Sequence, residues 1–122
     1  MQETFYNLGR IEAIARLFEG TGYKPFEDCR FETSGKSYIS EYSRVMLEGI
    51  DFDLTYFPLK HLGYKSVISV TGELYAVMAR PKTLSVSLGI SSKLDFGQIK
   101  EIWEGTVTAA KEHGYAKIAL DL

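Results

Sequence analysis

The chain has 122 residues, 45% of them hydrophobic, with a formal charge of −2 and one cysteine. That length suits a single domain able to bury its own core without metal or disulfide support. It offers no cationic cluster for nucleic acid or an anionic membrane, no pair of thiols for an internal disulfide, no basic-then-apolar leader and no apolar run of membrane-spanning length. We therefore expect one cytoplasmic domain over residues 1–122, without nucleic-acid or membrane partners and without a cofactor.

In chain order, Leu8, Ile11, Ile14, Ala15, Leu17 and Phe18 recur at helical spacing, with Asn7 as a candidate N-cap and Gly20 as the stop. From Glu27 the character changes. Arg30–Thr33 and the run Ser37–Asp53, separated by a turn centred on Gly35, read as a hairpin. Ile39, Val45 and Leu47 would face its core, and Tyr38, Tyr42 and Arg44 the opposite side. Pro58 suits the first turn of a long helix whose stripe runs through Leu59, Leu62, Ser66, Val70, Leu74 and Val77 up to the break at Arg80-Pro81.

Residues 83–90 then alternate, with Leu84, Val86, Leu88 and Ile90 opposed to Thr83, Ser85, Ser87 and Gly89. Asp95 followed by Gln98 predicts a capping box opening a second long helix, which Gly114 stops. Tyr115 to Leu122 reads as a last strand, with Ile118, Leu120 and Leu122 facing inward. This order predicts an α+β fold: a four-stranded sheet with two long helices on one face, related to the split βαβ group, plus a short N-terminal helix. Its other face, carrying Tyr38, Tyr42, Arg44, Ser85, Ser87 and Asp121, would meet solvent, a ligand or a second subunit.

The segment LEGIDFDLTYFPLKHLGYKSVIS, followed by ELYAVMARPKTLSVSLGIS, resembles the N-terminal domain of thiamine-monophosphate kinase. The same domain occurs in the wider group containing aminoimidazole ribonucleotide synthetase and selenophosphate synthetase. The likeness runs from about Pro25 to Leu122, and its most specific part is the ordered series from Leu47 to Pro81. It implies a domain that pairs with a second copy through the open sheet face, acidic loops that hold ATP and magnesium, and a second domain of similar length.

Those acidic loops are where the sequence departs from the family. The Gly-Asp-Asp-Ala-Ala motif falls on Phe26-Glu27-Asp28-Cys29-Arg30, and Ser-Thr-Asp on Tyr42-Ser43-Arg44, which puts a cation where a metal-binding carboxylate is implied. Asn-Leu-Ser-Asp falls on Val70-Thr71-Gly72-Glu73, and Gly-Gly-Asp-Thr on Ala119-Leu120-Asp121-Leu122. The resemblance implies that Asp28, Glu73 and Asp121 are remnants of a nucleotide site, against which stands the favoured reading of them as solvated strand-end charges. Losing a ligand carboxylate opposes phosphoryl transfer. We therefore expect an engineered or degenerate isolated domain that serves as an assembly scaffold and homodimerises through its open face.

Two alternatives stand beside this. One is residual Mg-nucleotide binding by the three acids. The other is an ester-cleaving site using Cys29 as nucleophile if a base such as His61 activates it, although a lone cysteine also serves as a small apolar filler. Gly35-Lys36-Ser37 is a hairpin turn rather than a phosphate loop, since no glycine stands at the required upstream position.

Overall fold

A computed structural model describes residues 5–26, 39–48, 50–51, 53–54 and 58–122. A one-turn helix α1 (Phe5–Leu8) precedes α2 (Arg10–Phe18), the long α3 (Leu59–Ala76), strand β1 (Thr83–Ser87), helix α4 (Phe96–Glu112) and strand β2 (Lys117–Asp121). β1 and β2 form a parallel pair in the register Thr83↔Lys117 to Ser87↔Asp121, so α4 is the crossover of a strand–helix–strand unit.

Local chemistry explains most of the boundaries. Gly9 at φ 79° separates α1 from α2, which places Asn7 inside α1 rather than at an N-cap, and Gly20 at φ 74° ends α2 as expected. Pro58 sits at the N-cap of α3. At the start of α4 the Asp95 carboxylate accepts from the Gln98 N–H at 2.8 Å while the Gln98 side chain accepts from the Asp95 N–H at 3.0 Å. That is the reciprocal capping box, and it satisfies donors that a helix start otherwise leaves unpaired.

The core sits between α2, α3, α4 and one face of the strand pair. Val67, Leu84, Ile99, Trp103, Ala109, Ala110 and Ile118 are buried together, and Phe18 of α2 packs on Trp103 with ring centroids 5.1 Å apart. Side chains alternate across a strand, so Leu84, Val86, Ile118 and Leu120 join this core. Thr83, Ser85, Ser87, Lys117, Ala119 and Asp121 share the other face.

Helices α3 and α4 run in the same sense, as the ordered contacts Lys60–Glu104, Tyr64–Glu112 and Tyr75–His113 require. They touch backbone to backbone. A Cβ built on Gly63 would lie 1.8 Å from the Ile102 carbonyl oxygen, and one on Gly105 would lie 1.9 Å from that of Lys60. The buried line of α3 is accordingly Gly63, Val67 and Thr71, with Leu62 beside it. The expected line through Ser66, Val70 and Leu74 lies on the flank, where it is partly buried.

The protein is a small α+β protein, but the four-stranded sheet is not its architecture. Among the described residues the only sheet is the β1–β2 pair. The predicted hairpin turn at Gly35 lies outside the described residues. Residues 39–47, expected to be strand, carry none, and the side chains assigned to the core are out in solvent: Ile39 is 43% exposed, Val45 77% and Leu47 52%. The reason is local competition. Asp51 accepts the Leu47 N–H at 2.8 Å on its side chain, its own N–H reaches the Leu47 carbonyl at 2.9 Å, and Arg44 pairs with its carboxylate at 3.3 Å. A side-chain-capped turn thus takes up backbone groups that a ladder would need.

Candidate functional site

Among the described residues, two groups of polar side chains lie against the helix and strand unit. The first is at the carboxyl end of the parallel strands, the position where open α/β sheets usually bind ligands. Asp121 ends β2 there and pairs with Arg10 at the start of α2, both side chains well exposed. An exposed pair of this kind contributes at most about 1 kcal/mol. Helix α4 begins at the same end of the unit, but the Asp95 carboxylate stands at its N-terminus and takes the Gln98 N–H. A carboxylate in that position disfavours an anion there.

The second is at the far end of α3 and α4 and is built from phenols. The Tyr64 hydroxyl donates to Glu112 at 2.5 Å, Tyr75 and His113 Nδ1 are 2.9 Å apart, Thr71 Oγ1 and the Tyr115 hydroxyl are 2.8 Å apart, and the Tyr23 hydroxyl donates to the Tyr115 carbonyl at 2.7 Å. Donation to Glu112, and secondarily burial, pushes the Tyr64 phenol above its ordinary value. Burial raises Tyr115, against the opposing effect of Thr71, and burial raises Tyr23. All three shifts favour the protonated phenol, the form that donates hydrogen bonds rather than attacks an electrophile. The network fastens α3 to α4 and to the segment after α2.

A shallow cleft of about 420 Å³ lies between the end of α2 and α4, floored by Leu17, Trp103 and Val107 and rimmed by Lys100, Glu104 and Lys111. Its rim mixes both signs of charge. The Trp103 indole N–H is buried and has no hydrogen-bond partner among the described residues.

The residues singled out from sequence fall only partly within the described residues. Asp28, Cys29 and Tyr38 lie outside the described residues. Glu73 is exposed on α3 and Asp121 on β2, and among the described residues no ion pair or hydrogen bond joins them. Tyr42 is exposed, and the Arg44 guanidinium belongs to the turn at Asp51, whose carbonyl accepts from Lys65 of α3 at 3.2 Å. Backbone donation from Leu47 is the main cause holding the Asp51 carboxyl below its ordinary value, with Arg44 adding to it and desolvation opposing. Among the described residues no group of three or more His, Cys, Asp or Glu side chains is placed to hold a metal ion, and no helix is long and apolar enough to cross a membrane.

Sequence reading did not find Arg10 as the partner of Asp121, nor the phenol network. Neither has a local signature, since the partners are 111 and 38 to 92 residues apart. No protein-family model, curated protein or solved structure matches the chain.

Proposed function

We propose that the chain is a non-catalytic assembly module, an engineered or degenerate kinase-type N-terminal domain that pairs with a second copy of itself through the open face of the β1–β2 sheet. The observation that carries this reading is the asymmetry of that sheet. Parallel strands are ordinarily covered on both faces; here one face joins the core while Ser85, Ser87 and Asp121 on the other are exposed.

The centre of the open face bears only Ser85 and Ala119, paired in register, which lets two sheets approach to about 10 Å. Lys117 and Asp121 stand at opposite ends of it. A twofold axis between the sheets and perpendicular to the strands sets each lysine near the partner's Asp121, beside the Arg10 with which that carboxylate pairs in its own chain. Loss of phosphoryl transfer is supported by Arg44, which stands where the family resemblance implies a metal-binding carboxylate and is engaged with Asp51.

The test is sedimentation equilibrium on the wild type and two variants. Ser85→Arg, which puts a long cation at the centre of the face, abolishes association, whereas Glu73→Arg on exposed α3 leaves it unchanged. Association that survives Ser85→Arg contradicts the reading.

A further inference from the structure

Helices α3 and α4 end in the same hydrogen-bond pattern. At α4 the Tyr115 N–H reaches the Ala110 carbonyl at 3.0 Å and the Gly114 N–H that of Lys111 at 3.3 Å; at α3 the Ala79 N–H reaches Leu74 at 2.9 Å and the Met78 N–H reaches Tyr75 at 3.0 Å. Both are Schellman closures, which need a left-handed residue at the position just past the cap. Gly114 fills it in α4 at φ 76°, whereas Met78 fills it in α3 at φ 61°.

A side chain is disfavoured in that backbone conformation, and this one is not held there by packing, because Met78 is 92% exposed. Tyr75 and Val77 beside it are about half exposed, so the end of α3 presents a small apolar knob. The other internal methionine, Met46, is half-buried.

We propose that Met78 is a redox-modification site whose thioether takes one oxygen atom from a peroxide-class oxidant. The sulfur attacks one peroxide oxygen and the O–O bond breaks. The departing hydroxide takes the proton left on the new S–OH group, so thioether and hydrogen peroxide give sulfoxide and water. Sulfur is oxidised and peroxide is reduced. Because the side chain lies outside the core, the product keeps the fold, and the change is confined to the end of α3, where the apolar knob becomes polar. Methionine sulfoxide is the reversible rung of the oxidation ladder, returned to the thioether by sulfoxide reductases.

The test is a hydrogen peroxide time course on the full chain, read by peptide mass mapping with Trp103 fluorescence reporting the fold. The one-oxygen adduct is expected on Met78 faster than on Met46, following exposure, with fluorescence unchanged. Met78→Leu, which keeps the size and backbone of the site, removes the fast adduct and leaves the slow one. Equal rates at the two positions, faster reaction at Met46, or an adduct at Met78 that appears only as the fluorescence changes would overturn the proposal.

Discussion

Met78 and Gly114 hold the same place in two helix closures, and the difference between them is one Cβ in a left-handed backbone. For an L-residue that conformation costs about 1–2 kcal/mol, partly offset by the greater unfolded-state entropy of glycine. Met78→Gly is therefore expected to raise stability by about 0.5–1 kcal/mol, seen as a higher urea midpoint at unchanged slope. At Asp51 the same scale sets a pH response. Its folded-state value is depressed, so its contribution is fully present above the unfolded value near 3.8 and is lost as pH falls through the lower folded value. The Leu47 amide resonance should titrate with a midpoint below 3.8, and Arg44→Gln should raise that midpoint only part of the way, because the Leu47 N–H is the larger cause. A midpoint at or above 3.8 in the wild type contradicts the turn. Gly114 and Asp95 were legible in the sequence because each closure calls for its residue type, whereas nothing in the letters around Met78 marks a left-handed site.

Between elements, the decisive contact is the crossing of α3 and α4 at Gly63 and Gly105. Gly63→Ala puts a methyl group 1.8 Å from the Ile102 carbonyl oxygen and 2.8 Å from the Thr106 nitrogen, both backbone atoms that cannot swing aside. The helices must separate, and the expected cost is about 2–3 kcal/mol, measured by thermal or urea unfolding. Gly72→Ala on the same helix has open space around its new Cβ and should instead stabilise by about 0.5–1 kcal/mol through helix propensity. If the two substitutions have similar effects, the crossing is wrongly placed. This crossing is also why the stripe of α3 was only partly readable. Hydrophobic periodicity weights Leu59, Val70, Leu74 and Val77, but closest approach selects the smallest side chains and turns α3 to bury Gly63, Val67 and Thr71. Val77, at the end of the expected stripe, is half exposed. In α4 the pattern and the contact agree, since Ile99, Ile102, Trp103, Thr106, Ala109 and Ala110 are all buried.

At the scale of the whole fold, the two stretches that alternate cleanly in sequence, 83–90 and 115–122, carry the two strands found among the described residues, though each strand is shorter than its pattern. The stretch 39–47 has β-rich composition without a buried face to align, and a turn capped by Asp51 is the local alternative. A two-stranded ladder is marginal by itself, and the helices packed on Leu84 and Ile118 support it. Of the candidate site, Asp121 was legible as a strand-end acid, but its Arg10 partner arrives through tertiary folding from the far end of the chain. What remains unsatisfied is the uncovered sheet face, and a second copy is the cover that its small centre and opposed end charges fit. The most direct measurement is therefore the light-scattering mass of the wild-type chain over a wide concentration range. Pairing through the sheet predicts a mass that climbs from one chain toward two as concentration rises. A mass that stays at one chain up to the highest concentration reached would contradict it.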